Sequence, residues 1–297
     1  MNGQELALIF PCAGEALVGI LALPATRSAT DQRPAADTAV VMIVGGPQYR
    51  AGSHRQFTLL ARAIADAGHP VLRFDYRGMG DSGGEPRAFE AVSQDIAAAI
   101  NITQQELPAV RRFVLCGLCD GASAALLYLE SSKDARVGGL CLINPWVRSD
   151  ASLALTHVKH YYLQRLRQRE FWLKLARGGV AGGAVRDLLR SLGQLRAHRS
   201  KSAHDKSVST QTFQQLMASA AAMFRGELLL VLSAIDYTSR EFAEHARTNA
   251  QWQRRLSDRR TTRLHIAGAD HTFSSWGSQQ TLHTAVVSWL ENFSRAP

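Results

Sequence analysis

Short apolar runs alternate with segments of helical spacing along this chain. The strand-sized runs are bounded by glycine, proline or polar residues and lie at 6–11, 16–23, 38–44, 71–75, 112–116, 137–143, 227–233 and 262–266. Helical spacing follows at 57–67, 89–105, 122–129, 240–253 and 279–293. The first two runs predict a hairpin. The alternation that follows predicts an α/β fold with a mostly parallel central sheet and helices on both faces.

The pattern changes after Trp146 to long, basic stretches of helical spacing, interrupted by a glycine-rich run at 178–183. We interpret this segment as an inserted helical cap. The predicted organisation is a first part of the core at 1–147, a basic helical cap at 148–225 and a second part of the core at 226–297.

The net charge of +9 is concentrated in that insertion. Between Arg148 and Lys206 there are 13 basic and 4 acidic residues, so 21 of the 34 basic and 21 of the 25 acidic residues lie elsewhere. Three roles stay open for this charge: a solvated helical face, a basic element beside a site for an anionic or phosphate-bearing substrate, and nucleic-acid binding. No nucleic-acid motif or interleaved aromatic pattern accompanies the charge, so we expect no nucleic-acid partner.

Composition narrows the class of protein further. With 297 residues, 46% hydrophobic and 20% charged, the chain is typical of a globular protein and unlike a disordered, collagen-like or coiled-coil one. Four cysteines are too few to stabilise a chain of this length by disulfide bonds, which favours a reducing, cytoplasmic compartment. No apolar run approaches the roughly 18 residues of a membrane span. Glu5 and Glu15, with no early lysine or arginine, argue against a signal peptide.

Gly117-Leu-Cys-Asp-Gly121 has the form G-x-nucleophile-x-G at a predicted strand-to-helix turn, the setting of a nucleophile elbow. Side chains at 117 and 121 would crowd this turn, which lifts the central residue, Cys119, towards substrate. A helix N-terminus and a neighbouring imidazolium both favour a thiolate. Cys119 is therefore the candidate nucleophile.

The expected acid and histidine follow in order, each after a later strand. Asp236 comes directly after the 227–233 run, and His271 comes after the strand that ends at Ile266. Glu241 is a weaker substitute for the acid. We expect the oxyanion hole to use the backbone N–H of Asp120 and, because Pro47 has none, that of Gln48 or a neighbour in the Gly45–Tyr49 loop.

Each of these residues, taken alone, also fits a purely structural role. Cys119 fits a small core residue, Asp236 a helix N-cap, and His271 a polar loop residue. Cys116 and Cys119 also form a C-x-x-C, the spacing of a redox pair or half a metal site, but no second pair completes a zinc site. We expect no metal and no cofactor. A catalytically silent scaffold is the remaining alternative.

Several features follow one another along the chain: a strand, Gly45-Gly-Pro, a helix, Phe74-Asp-Tyr-Arg-Gly-Met-Gly-Asp-Ser82, the elbow, Asp236 and Gly268-Ala-Asp-His271. This order resembles the α/β-hydrolase superfamily along nearly the whole chain. The stretch 45–82 and Gly-Leu-Cys-Asp-Gly resemble, more narrowly, the exosortase A system-associated hydrolases (type 1). That resemblance implies a bacterial cytoplasmic protein encoded with exopolysaccharide and protein-sorting machinery. It also implies a hydrolase or acyltransferase with Cys119, Asp236 and His271 as its triad.

The sequence thus predicts an enzyme that cleaves or transfers an acyl group through an acyl-Cys119 intermediate. Thioesters and activated esters suit a thiol nucleophile, because acyl exchange between two sulfurs is nearly balanced. The basic cap suggests an anionic partner: coenzyme A, a carrier-protein thioester or a glycan intermediate. The acyl group, the choice between hydrolysis and transfer, and the oligomeric state stay open.

Overall fold

In the computed structural model, residues 4–25, 37–46, 48–148 and 211–295 are described, and they contain an eight-stranded sheet. The strands are β1 (Glu5–Cys12), β2 (Glu15–Ala22), β3 (Thr38–Ile43), β4 (Val71–Asp75), β5 (Arg112–Leu118), β6 (Val137–Ile143), β7 (Glu227–Ser233) and β8 (Thr261–Ile266). Their order is β1-β2-β4-β3-β5-β6-β7-β8. All neighbours from β4 to β8 pair in parallel, whereas β1–β2 and β2–β4 are antiparallel. The predicted mostly parallel sheet is confirmed.

The opening hairpin is also confirmed. Its two-residue turn, Ala13-Gly14, has positive φ at both residues, 48° and 88°. Such a turn matches the right-handed twist of the strands that it joins. The pairing runs without a break from Glu5 opposite Ala22 to Cys12 opposite Glu15.

Helices cover both faces of the sheet. They are α1 (Gln56–Asp66), α2 (Ser93–Glu106), α3 (Asp120–Ser132), α4 (Phe213–Met223), α5 (Tyr237–Thr248), α6 (Ala250–Leu256) and α7 (Trp276–Arg295), with 3-10 turns at Ser53–Arg55 and Phe89–Ala91. Apolar side chains of α1 and α7 form the core on one face, and those of α2 to α6 form the core on the other. Every residue of β3 is buried, as expected of a strand covered on both sides.

Two helix predictions need correction. The segment predicted as one helix at 240–253 is two helices, because the side chain of Asn249 accepts hydrogen bonds from the backbone N–H groups of Gln251 and Trp252 and so begins α6. The helix predicted from residue 89 begins as an α-helix only at Ser93, after the 3-10 turn.

The boundary predicted at residue 226 is also too late. Helix α4 lies within the predicted cap, yet its buried residues belong to the same core cluster as those of α3. The compact unit that contains the sheet ends its first part at Val147 and resumes at Thr212, so α4 belongs to it. The cap prediction for 149–210 lies outside the described residues. Within the described ranges, no helix combines the length and apolar character that a membrane crossing requires.

A buried ion pair ties the loop after β4 to α2. Arg77 donates from Nε and Nη2 to the two carboxylate oxygens of Asp95, at 3.0 and 2.8 Å, and its backbone N–H donates to the same group at 2.8 Å. The Asp95 side chain is fully buried and that of Arg77 is 7% exposed. Such a pair is costly to break, because removing one partner leaves an uncompensated buried charge.

We therefore predict that Asp95→Ala lowers the free energy of unfolding by about 3–5 kcal/mol. Arg62→Gln is the control, because Arg62 pairs with Glu5 at 2.9 Å but its side chain is 50% exposed, and it should change stability by about 1 kcal/mol or less. Urea denaturation of both variants measures the difference. Equal effects would contradict the assignment of Arg77 and Asp95 as a structural pair.

Candidate active site

Cys119, Asp236 and His271 meet at one edge of the sheet. They follow β5, β7 and β8, which are parallel strands, so their carboxyl ends lie on the same side. His271 Nδ1 lies 2.9 Å from Asp236 Oδ2, and the side chain of Cys119 is near enough to the imidazole to favour its charged form. The structure thus brings together the three residues that the sequence predicts, with Asp236 rather than Glu241 on the ring.

The turn that carries Cys119 has the strained geometry expected of an elbow. Cys119 has φ 59° and ψ −125°, which side-chain-bearing residues rarely adopt. A Cβ at Gly117 would collide with the backbone of Gly121, and one at Gly121 with the carbonyl oxygen of Ile43. The backbone N–H of Cys119 donates to Ile143 O at 2.9 Å. The side chain of Cys119 is only partly buried, so it is accessible at the end of the sheet.

Asp236 serves two purposes at once. Its carboxylate accepts hydrogen bonds from the backbone N–H groups of Thr238 and Ser239 and caps α5. The oxygen that bonds Ser239 also faces His271. Burial acts to raise the pKa of Asp236, but the hydrogen bond and charge of His271, together with the two N–H groups, outweigh it and hold the pKa below its ordinary value. The N-cap and the orienting acid are the same group.

The hydrogen bond that His271 donates to Asp236, and then the interaction with Cys119, together with the charges of both, raise the pKa of His271 from its ordinary 6.5 to about 10 against the opposing effect of burial. The imidazole is therefore protonated near pH 7 in this arrangement. Asp270, its neighbour in sequence, instead accepts hydrogen bonds from the backbone N–H groups of Thr272 and Ser274. Asp270 shapes the loop, and Asp236 orients the ring.

Asn144 is a site residue that the sequence reasoning missed. It is fully buried and has a positive φ of 45°. Its Nδ2 donates to Ser233 Oγ at 2.8 Å and to the His271 carbonyl oxygen at 3.3 Å, and its Oδ1 accepts from the Ser233 N–H at 2.8 Å. Asn144 thereby links the ends of β6 and β7 to the histidine loop. The one signal in the sequence was a lone amide residue directly after an apolar strand.

The Gln48 backbone N–H, predicted with its neighbours in the Gly45–Tyr49 loop as the second oxyanion donor, is used within the loop itself. That N–H donates to Gly46 O at 2.7 Å, and the Gln48 side chain is bound by Gly45 O and Ser53. The loop amide that faces the elbow is that of Gly46, which donates to Asp120 Oδ1 at 2.5 Å. The Asp120 and Gly46 amides are therefore the candidate oxyanion donors, and in this structure the Asp120 carboxylate contacts the second of them.

A buried arginine holds that loop against β4. The backbone N–H of Arg50 donates to Asp75 Oδ1 at 2.6 Å, and its Nη1 donates to Asp75 Oδ2 at 2.5 Å and to Asp81 at 2.8 Å. The Asp75 side chain is fully buried. These bonds fix the segment that follows Gly46, which keeps the Gly46 amide next to the elbow.

The two cysteines of the C-x-x-C spacing, Cys116 and Cys119, do not pair with each other. Cys116 is buried in β5 opposite Cys141 of β6. A hydrogen bond with Cys116 and complete burial raise the pKa of Cys141 well above its ordinary value. The partner of Cys116 is therefore Cys141, which removes the basis for a Cys116–Cys119 redox pair. Among the described residues, no group of three or more His, Cys, Asp or Glu side chains is arranged for a metal ion.

The raised pKa of His271 makes stability depend on pH. A histidine whose pKa is higher in the folded state stabilises that state fully below its unfolded pKa and loses the contribution as pH rises through the folded value. We expect the unfolding free-energy difference between the wild type and His271→Gln to be largest below pH 6.5 and to shrink towards pH 10. His265→Gln, at an exposed position on β8, is the control. A constant difference for His271→Gln across this range would contradict the ion-pair assignment.

Solved structures share this fold at low sequence identity. The chain is similar to an esterase from Pyrococcus furiosus (14% identity, 99% of this chain and 94% of that one covered, TM-score 0.61). It is also similar to Est1E from Butyrivibrio proteoclasticus with ferulic acid bound (12%, 97% and 99%, 0.60) and to a dienelactone hydrolase from Anabaena variabilis (12%, 99% and 99%, 0.59). The fold is that of the α/β hydrolases. A search of curated proteins finds no match.

A family model described as serine aminopeptidase, S33, matches residues 35–230, which include the Gly45–Tyr49 loop, the elbow, β3 to β6 and the first part of β7. The match covers well over half of the chain. The protein therefore belongs to this S33 serine aminopeptidase family of α/β hydrolases.

Proposed function

We propose that this protein is a cysteine-nucleophile hydrolase that cleaves or transfers an acyl group through an acyl-Cys119 intermediate. The family and the fold relatives support a hydrolase. The observation that carries the finer proposal is the chain of contacts from Asp236 through His271 to Cys119 at an elbow of strained geometry. The family name specifies serine, and this chain has a thiol in that place.

The residues account for each step of acyl transfer. The Cys119 sulfur, paired with the His271 imidazolium, attacks the substrate carbonyl carbon and forms a C–S bond. Negative charge moves to the carbonyl oxygen, which lies in the hole formed by the amides of Asp120 and Gly46. On collapse the bond to the leaving group breaks, and His271 donates its proton to that group. Water, deprotonated by His271, or another acceptor then attacks the acyl-Cys119 thioester and restores the thiol.

Thioesters and activated esters are the substrates that we propose. Exchange between two sulfurs is nearly balanced, whereas expelling an alkoxide from a thiol adduct is less favourable. The 13 basic residues between Arg148 and Lys206 favour an anionic carrier such as coenzyme A or a carrier-protein arm, or an anionic glycan intermediate. We also propose that the protein acts in the cytoplasm, alongside exosortase and exopolysaccharide systems. This part of the proposal rests on the resemblance of residues 45–82 and of the elbow to the exosortase A system-associated hydrolases.

A catalytically silent scaffold is the second candidate. The observation that favours it is the Asp120 carboxylate, which contacts the Gly46 amide where an oxyanion would bind. The two candidates differ in whether a covalent acyl-enzyme forms.

Intact-protein mass spectrometry after brief incubation with acyl-coenzyme A thioesters and activated esters tests the proposal. We expect an acyl mass increment on the wild type that maps to Cys119 and is absent from Cys119→Ala. Cys12→Ala is the matched control, because Cys12 is a buried cysteine remote in sequence from the elbow, and it should label like the wild type. No adduct from any donor, with Cys119 also inert to iodoacetamide, would reject catalysis and leave the scaffold.

The proposed anionic carrier gives a separate prediction. Replacing Arg165, Arg167 and Arg169 together by glutamine should raise KM for an acyl-coenzyme A by about tenfold and leave kcat nearly unchanged, because lost charge contacts weaken ground-state binding. A neutral activated ester is the control substrate and should show no change in KM. An unchanged KM for acyl-coenzyme A would reject the insertion as the binding element for the carrier.

A further inference from the structure

The side chain of Asp120 folds back onto the oxyanion hole. Its Oδ1 lies 2.5 Å from the backbone nitrogen of Gly46, and the backbone N–H groups of Gly121 and of Asp120 itself are near enough to favour the charged carboxylate. The same oxygen occupies the space beside Gly45 where a Cβ would lie. The carboxylate therefore takes up the donors that stabilise a tetrahedral intermediate in the proposed mechanism.

In this arrangement the Asp120 carboxylate and the oxyanion of a tetrahedral intermediate compete for the same donors. An oxyanion on the adduct of Cys119 needs the amides of Gly46 and Asp120, and a carboxylate already bound to them excludes it sterically and repels it. The other ionisable groups that act on this region are Glu90, the hydroxyl of Tyr76, Cys119 and His271. Glu90 is a further negative charge, and Tyr76 donates its hydrogen bond to the Val44 carbonyl oxygen rather than to Asp120.

The carboxylate is poorly stabilised where it lies. Burial raises the pKa of Asp120 above its ordinary value, and the three backbone N–H groups only partly offset this effect. A charge held in this way is easier to displace or neutralise than one paired with an arginine, such as Asp75 with Arg50.

We propose that Asp120 is an internal gate of the oxyanion hole, whose carboxylate holds the Gly46 amide in the resting enzyme and must leave it before Cys119 is acylated. The proposal rests on the proposed function and deepens it. It also assigns specificity: a carboxylate beside the reacting carbonyl disfavours acyl groups that carry a negative charge of their own. The anionic part of the substrate then belongs to the leaving group and not to the acyl group.

Asp120→Asn tests the gate, because asparagine keeps the shape and an oxygen acceptor for Gly46 but removes the charge. We expect acylation of Cys119 by butyryl-coenzyme A to become about tenfold faster. This gain in rate is smaller than the loss of rate that follows removal of a single oxyanion donor. Succinyl-coenzyme A, of the same acyl length but with a terminal carboxylate, should gain more, so that the preference for butyryl falls. Rapid-quench mass spectrometry of the acyl-enzyme measures both rates.

Glu90→Gln is the matched control. It removes a nearby exposed carboxylate that acts on Asp120 only through its charge, and it should leave both rates close to those of the wild type. Asp120→Ala frees the Gly46 amide entirely and provides a second variant if the asparagine protein does not fold. If Asp120 is a gate, Cys119 in Asp120→Ala is also acylated faster than in the wild type.

The outcomes separate the gate from a merely structural role and from failure of the proposed function. Slower acylation in both Asp120 variants, with the butyryl preference unchanged, would show that Asp120 anchors the loop and would overturn the gate. Acylation of Asp120→Asn but not of the wild type would support the gate in its strongest form. An acyl-enzyme absent from all variants would overturn the proposed function together with the gate, whereas a labelled wild type leaves the function standing.

Discussion

The close approach of backbone at the end of β5 is the constraint on which the site depends. The start of α3 packs against the ends of β3 and β5 so tightly that Gly117 and Gly121 have no space for a side chain. This contact forces Cys119 into a positive φ and exposes its sulfur at the edge of the sheet. It also sets the Gly46 amide beside the first turn of α3. The proposed nucleophile and the proposed oxyanion donors therefore come from one packing arrangement.

The acid and the histidine are held by the sheet in a similar way. The loops after β7 and β8 are joined by backbone hydrogen bonds, from Ala234 N to Ile266 O at 3.1 Å and from Ile235 N to Ala269 O at 2.9 Å. Asn144 adds a buried side-chain link to the His271 carbonyl. Neighbouring parallel strands thus convert a separation of 35 residues into a direct contact between Asp236 and His271.

Two carboxylates in this site are shifted in opposite directions. Asp236 lies against an imidazolium and two N–H groups, so its pKa is lowered, whereas burial dominates at Asp120 and raises its pKa. Titratable groups whose environments push their pKa values apart commonly divide roles at an active site. Here Asp236 is a fixed counter-ion for His271, and Asp120 is a weakly stabilised charge at the Gly46 amide, a proposed oxyanion donor.

The sequence by itself determined the strands, the hairpin and the order of Cys119, Asp236 and His271, because apolar periodicity and the position of polar residues after strands are local properties. Tertiary structure decided the rest. Helix α4 has the same pattern as a cap helix, and only its packing against α3 assigns it to the core. The amide that faces the elbow is that of Gly46 and not that of Gln48, and the Asp120 side chain turns back onto it. These outcomes depend on distances between segments far apart in the chain, which no local pattern records.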